Sequence, residues 1–243
     1  MSARETPAAP RAEVLMHAYE SATQWTWGAA VAISSALARD LQARARARLL
    51  LSGGSTPAPV YEALSKAPLE WERVDVALVD ERWLLPDDPD SNSRLVRESL
   101  LRDRAAAARF ESITRPGRSI EEAVNAANLH ARTAPSVVVL GMGEDGHTAS
   151  LFPGMQNLEG ALQSPMPYVG VDATGCPGAG RFLRRISLTP AGLEPAPVRL
   201  LLIRGESKRK LVERVLAGDD PLEYPARIAF LTPGAPLHIH WCP

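Results

Sequence analysis

Cysteine is nearly absent from this 243-residue chain, which carries only Cys176 and Cys242. Two thiols cannot build a disulfide framework, and neither lies in a C-x-x-C or Cys/His spacing that would hold zinc, so a reducing, cytoplasmic setting is expected. A surplus of one charge sign is missing too. With 27 Lys+Arg against 28 Asp+Glu the formal net charge is −1, which excludes a nucleic-acid binder working through bulk charge. No run approaches the roughly 18 apolar residues of a membrane span. The opening residues are rich in Ala and Pro, where a secretory signal needs an unbroken apolar stretch, so neither export nor membrane attachment is expected.

What is present belongs to a folded domain with a sizeable core: 45% of residues are apolar and 23% charged. Residues 1–10 read as a loose extension, and 11–243 as one domain. From Trp27 to Leu41 the apolar residues Ala30, Val31, Ile33, Ala36, Leu37 and Leu41 recur at three- and four-residue steps, the period of a helix with one buried face. Arg44, Arg46 and Arg48 follow and read as a solvated helix end, since no aromatic residues interleave as a nucleic-acid platform requires. Short, nearly all apolar runs at 49–51, 74–79, 137–140, 198–203 and 228–231 read as strands buried on both faces. Helical stretches at 93–101, 119–132 and 206–217 separate them. This alternation predicts an α/β fold, with a mostly parallel, Rossmann-like sheet flanked by helices on both faces. Thr174 to Gly180 reads as a surface loop. In open α/β sheets ligands bind beyond the carboxyl ends of the strands, so the chemistry is sought there.

The first run leads into Ser52-Gly53-Gly54-Ser55-Thr56-Pro57 and a helical pattern. Two glycines admit an anion close to backbone N–H groups, and Ser55 and Thr56 add hydroxyl donors, which suits a phosphate. The plain alternative is an ordinary strand-to-helix turn. This loop carries neither the G-x-G-x-x-G of a dinucleotide site nor the Gly-Lys-Ser/Thr of a P-loop. The second run ends in Asp80-Glu81-Arg82, followed by Asp90-Ser91-Asn92. Arg82 suits a phosphate or carboxylate, or an ordinary salt bridge, and Asp80 and Asn92 suit sugar hydroxyls. One of residues 90 to 92 should cap the helix that follows.

The third run delivers Gly-Met-Gly-Glu-Asp-Gly-His-Thr-Ala-Ser-Leu-Phe-Pro at 141–153. An imidazole with an ordinary pKa near 6.5 in a glycine-rich strand-end loop is well placed for general acid or base work, and Asp145 is near enough to orient His147. The other histidines, His17, His130, His238 and His240, have no such setting, and a lone Asp-Gly-His is a poor metal site. The fourth run ends at Arg204-Gly205-Glu206-Ser207-Lys208. A lysine in the first turn of a helix opposes its dipole, which a nearby anion would explain as well as a flexible surface position would.

Together these motifs, with Arg-Ile-Ser-Leu-Thr at 185–189, resemble the 6-phosphogluconolactonase family, in a superfamily that includes glucosamine-6-phosphate isomerases/deaminases. The resemblance spans most of the chain in order. It implies a lactonase hydrolysing 6-phospho-D-glucono-1,5-lactone to 6-phospho-D-gluconate, the second step of the oxidative pentose phosphate pathway. It makes His147 the base that activates water, with Asp145 beside it and Arg82 facing the phosphate or the developing oxyanion. Gly53, Gly54, Ser55, Thr56 and Lys208 would hold the 6-phosphate, and Asp80, Asn92 and Arg185 would line the substrate. No cofactor or metal is implied, and the expected partner is the sugar-phosphate lactone alone, with a monomer expected and a weak dimer as the alternative. In the isomerases the resembling loop places a catalytic glutamate before the proline. Here that position is Phe152. A related sugar-phosphate sensor would need a helix-turn-helix module ahead of residue 27, where the chain has too few residues and too much proline.

Overall fold

Every residue of the segments 47–51, 74–78 and 137–140 is buried, which requires cover on both faces of the sheet they share. The computed structural model describes residues 11–243, and the expected loose extension at 1–10 lies outside the described residues. A seven-stranded sheet, with all its pairs parallel, forms the centre. Its strands are β1 (Val14–Ala18), β2 (Ala47–Leu51), β3 (Val74–Leu78), β5 (Arg109–Phe110), β6 (Val137–Leu140), β9 (Arg199–Arg204) and β10 (Leu237–Cys242). Their spatial order is β1-β10-β9-β6-β2-β3-β5. A smaller antiparallel sheet, ordered β4-β8-β7, joins β4 (Asp80–Arg82) to β7 (Tyr168–Asp172) and β8 (Arg184–Leu188).

The helices that cover the sheet start where the sequence supplies caps. α1 (Ala22–Ala43) begins at Ser21, whose hydroxyl accepts from the Gln24 amide, and buries Trp25, Ala29, Ile33, Leu37 and Leu41 along one side. After β2 comes the short α2 (Ala58–Leu64), then α3 (Asn92–Ser99), capped by Ser91. α4 (Ile120–His130) opens with a reciprocal capping box between Ser119 and Glu122. The short α5 (Leu158–Leu162) and α6 (Pro190–Leu193) precede α7 (Glu206–Ala217) and α8 (Ile228–Leu231).

The mostly parallel α/β architecture agrees with the expectation, and three local readings are corrected. Residues 228–231 are helical, not a strand. The run is only four residues long, too short for periodicity to decide, and it continues a tight turn whose Arg227 is buried against the carbonyls of Val215 and Asp220. The strand in that part of the chain is β10. Arg46 and Arg48 do not belong to a solvated helix end. α1 stops at Ala43, Arg46 pairs with Asp75, and Arg48 sits inside β2 with its guanidinium buried against Glu111 at 2.9 Å. The 174–180 loop is only partly on the surface, since Cys176 and Ala179 are buried.

Chain order explains where a ligand belongs. From β2 the chain builds outward through β3 to β5, then returns past β2 to lay down β6 on its other side. The order reverses between β2 and β6, and a doubly wound sheet opens a crevice at such a point, outside the carboxyl ends of its strands.

Candidate active site

The loops leaving β2 and β6 flank that crevice, and a cleft of about 200 Å³ lies between them. Gly53, Gly54, Thr56, Asp80, Arg82, Asn92, His147, Arg185 and Lys208 all line it. Ser55 and Asp145 do not. Ser55 is exposed at the turn, and Asp145 stands behind His147.

Asp145 and His147 form a pair. The carboxylate Oδ1 accepts from the His147 backbone amide at 3.1 Å and lies 2.6 Å from Nδ1 of the ring. A carboxylate is an acceptor only, so Nδ1 carries the proton and donates, leaving Nε2 with its lone pair. Burial alone would raise the Asp145 carboxyl, but the hydrogen bonds and charge of His147 outweigh it and hold the group below its ordinary value. Glycines make the approach possible, because a β-carbon at Gly143 would overlap the His147 ring. The segment 141–146 spells G-x-G-x-x-G after a strand, yet it turns back on itself through Gly146 N–H to the Gly143 carbonyl and opens no helix, so it lacks the helix N-terminus a dinucleotide needs. Beyond His147, Ala149 adopts φ 51°, a strained conformation for a residue with a side chain. The adjacent Ser150 amide donates to Ser187 Oγ, and the Ser150 hydroxyl donates to Asp80 Oδ2 at 2.6 Å.

At the end of β2, the amides of Gly53, Gly54, Ser55 and Thr56 donate to no protein acceptor among the described residues, and Gly54 takes φ 95°. Asn92 packs so closely on Gly53 that any side chain there would collide with its amide group. Lys208, in the first turn of α7, donates from Nζ to the Met142 carbonyl at 2.6 Å and pairs with Glu144 at 3.2 Å. Lys208 thus ties α7 to the loop that carries His147.

Glu81 anchors the opposite wall. It is fully buried, and its carboxylate accepts from the amides of Arg82, Asn92 and Ser93 and from the Ser91 hydroxyl. Burial pushes its carboxyl above the ordinary range while these donors pull against it. Arg82 donates from Nη1 to the Asp90 carbonyl, and it faces Arg185 in the β4–β8 register. Arg185 donates from Nε to the Phe182 carbonyl and from Nη2 to that of Ala179, with Nη1 3.4 Å from Ser150 Oγ. Burial lowers its guanidinium from the ordinary value, and Asp80 pulls the other way.

Three buried polar atoms at this cleft have no hydrogen-bond partner among the described residues: Ser52 Oγ, Arg82 Nε and Asn92 Oδ1. An unmet buried donor or acceptor costs roughly 1–3 kcal/mol, so such atoms gathered at one opening point to a polar ligand. Ser52, Glu81, Ser150 and Arg204 were not singled out as site residues from sequence. Arg204 lines the cleft at the last residue of β9, and its position at a strand end was the available signal. Glu81 and Ser150 act through hydrogen bonds, and Ser52 through a buried hydroxyl on the cleft wall, none of which a local pattern announces.

The sequence pattern of the family described as glucosamine-6-phosphate isomerases/6-phosphogluconolactonase matches residues 20–240. A 6-phosphogluconolactonase of Xylella fastidiosa is 49% identical over 95% of this chain and 97% of its own length. One from Pseudomonas aeruginosa is 41% identical, with 96% of each chain covered. Among solved structures, a 6-phosphogluconolactonase from Shewanella baltica superimposes with a TM-score of 0.87 at 33% identity, covering 95% of this chain and 98% of its own.

Proposed function

The chain belongs to the glucosamine-6-phosphate isomerase/6-phosphogluconolactonase family, and from that premise we propose that it hydrolyses 6-phosphoglucono-1,5-lactone to 6-phosphogluconate, with His147 as the general base. One observation carries the mechanism: the Asp145–His147 pair opens on a cleft that also holds unpartnered polar atoms and free strand-end amides. Asp145 holds the ring with Nε2 available. Nε2 takes a proton from water as the oxygen attacks the lactone carbonyl, giving a tetrahedral oxyanion and an imidazolium that Asp145 stabilises. As the intermediate collapses, the ring oxygen leaves and takes the proton from Nε2, which restores the neutral imidazole and yields the open-chain acid.

Positive charge near the carbonyl comes from Arg82. It adjoins Arg185 in the register, Arg185 lies over the Phe152 ring, and Phe152 packs on His147, a chain of contacts that favours the reacting end of the cleft. The 6-phosphate is assigned to the amides and hydroxyls of Gly53, Gly54, Ser55 and Thr56, with Lys208 across the cleft, and sugar hydroxyls to Asp80, Asn92 and Arg185. The scheme needs no cofactor, since an imidazole supplies the base and guanidinium and ammonium groups supply the charge. A cytoplasmic, monomeric enzyme belongs to the same proposal. Its two cysteines are free and buried, and no described helix is long and apolar enough to cross a membrane.

The test is direct: add the protein to freshly made 6-phosphoglucono-δ-lactone and follow acid release at constant pH. Release well above the spontaneous rate, undiminished by EDTA, is expected. No acceleration, or a rate lost to chelation and restored by a divalent metal, would overturn the reading.

A further inference from the structure

The mechanism above needs Asp145 held in one orientation, and the hydrogen bonds account for only half of its carboxylate. Oδ1 takes both donors from His147, while Oδ2 receives no hydrogen bond among the described residues. What meets Oδ2 is the backbone of Gly178. A β-carbon built on Gly178 would overlap Oδ2 and come 2.9 Å from Cγ of the same carboxylate. Gly175 and Gly180 in this loop have φ of 84° and 61° and are required by backbone conformation, but Gly178 has no positive φ. Its lack of a side chain is required by the contact alone.

The loop cannot easily recede. Arg185, rooted in β8, donates to the carbonyls of Ala179 and Phe182 at 2.6 and 2.8 Å. The Ala173 amide donates to the Leu183 carbonyl, closing the loop at its base, and Cys176 and Ala179 are packed inside. Arg181 pairs with Asp90, whose carbonyl accepts from Arg82, so the loop also reaches the opposite wall of the cleft. Burial pushes the Cys176 thiol up and the charge of Asp145 adds to it, which agrees with the loop lying against this carboxylate.

We propose that Gly178 is a positioning residue: the stapled backbone of the 173–182 loop is a wall that confines Asp145 to the orientation in which Oδ1 reaches His147 Nδ1. The inference rests on the proposed Asp145–His147 mechanism. With a methyl group at 178, the carboxylate must turn away from His147, because the wall is held and the side chain is the movable part.

The experiment is Gly178→Ala. Steady-state kinetics should show kcat lower by roughly 10- to 100-fold with KM within about twofold of the parent, the size of loss that follows a small misplacement of a catalytic group. The proton that His147 Nδ1 donates to Asp145 should give a low-field NMR resonance in the parent that moves upfield or broadens away in the variant, because the retreating carboxylate no longer holds it. In a double-mutant cycle, adding Gly178→Ala to Asp145→Asn should cost little more, since both changes remove one interaction. A parental kcat or an unmoved resonance would overturn the proposal, as would full additivity in the cycle. Should Gly178→Ala fail to fold, Pro177→Gly loosens the wall without adding an atom. It should move the same resonance upfield by less, and an unmoved resonance there would also refute the wall. The resonance does not depend on turnover. Full activity in His147→Ala would therefore sink the mechanism while leaving the contact between Gly178 and Asp145 separately tested.

Discussion

The rings of His147 and Phe152 stand with centroids 4.3 Å apart and their planes tilted by 40°. Phe152 is fully buried, and the Arg185 guanidinium carbon lies 5.0 Å from the ring centroid. The phenyl ring thus touches both the proposed base and a buried cation. A carboxylate there would compete with Asp145 for His147 and for positive charge, whereas an apolar ring supports the imidazole from the side and adds no second base.

Replacing Phe152 by Ala removes that support and leaves a cavity. Loss of a buried phenyl ring costs about 3–5 kcal/mol, which urea unfolding would register as a lower midpoint. Activity per folded molecule should fall as well, because His147 would then be held by Asp145 alone. A variant that unfolds earlier but turns over normally when folded would show that Phe152 serves the core and not the base.

His147→Ala should lower the lactonase rate by roughly 10²–10⁴-fold, the usual contribution of a positioned general base. Binding of 6-phosphogluconate, followed by calorimetry, should change little, and the thermal midpoint should stay near that of the parent. The ring is 23% exposed and, among the described residues, hydrogen-bonded only to Asp145, so its removal leaves no buried group stranded. A near-parental rate would remove His147 from the mechanism.

Much of this site was readable because strand ends and glycine-rich loops leave local marks. The strands β2, β3 and β6 are nearly all apolar since both of their faces are covered, with Arg48 and Asp75 as their charged exceptions, and each delivers its loop directly to the cleft. The antiparallel sheet is less legible. β8 opens on Arg184 and Arg185, and the charges hide a strand whose remaining residues are buried. β10 alternates histidines with Leu237, Ile239 and Trp241, so it lacks the plain apolar run seen elsewhere. The three histidines of β1 and β10 had no evident setting in sequence because only the parallel register of those strands places His17 beside His240. The wall at Gly178 depends on a contact across 33 positions of chain, which no local pattern encodes.

That register has a consequence for acid stability. His17 stacks on His240 with centroids 4.6 Å apart and lies 3.0 Å from His238 through ring nitrogens, while the Tyr19 hydroxyl is 2.9 Å from His240 Nδ1. Burial, with the neighbouring histidines adding, pushes His240 down to about 3. Unfolded, it would titrate near 6.5. Between these values the unfolded chain binds a proton that the folded chain refuses, so stability rises with pH across the window and is lost as pH falls from about 6.5 toward 3. Melting temperatures should therefore drop more steeply on acidification in the parent than in His240→Phe, and parallel curves would contradict the assignment.

Arg82→Gln separates two uses of the same charge. Acting on the oxyanion, Arg82 should matter as much for unphosphorylated gluconolactone as for the 6-phospho substrate, so kcat should fall on both by roughly 10²–10³-fold, as when one oxyanion donor is removed. KM for the phosphorylated lactone should change little. A loss confined to the phosphorylated substrate would transfer Arg82 to the phosphate.

Thr56 and Lys208 give the complementary comparison at the other end of the cleft. The Thr56 hydroxyl makes no hydrogen bond among the described residues, so Thr56→Val removes only what it offers a ligand. It should weaken 6-phosphogluconate binding by roughly tenfold, the low end for one hydrogen bond to a charged group, and leave unphosphorylated gluconolactone hydrolysis untouched. Lys208→Ala should weaken phosphate binding more, by roughly 10- to 100-fold, because the lost bond joins opposite charges. Unlike Thr56, Lys208 also holds the Met142 carbonyl and pairs with the Glu144 carboxylate. Its removal frees the loop that carries His147, so a modest slowing on the unphosphorylated lactone should accompany the binding loss. Calorimetry with 6-phosphogluconate and rates on both lactones measure the two effects apart. Equal losses on both substrates for Thr56→Val would place the phosphate elsewhere, with Arg204 at the end of β9 the next cation lining the cleft.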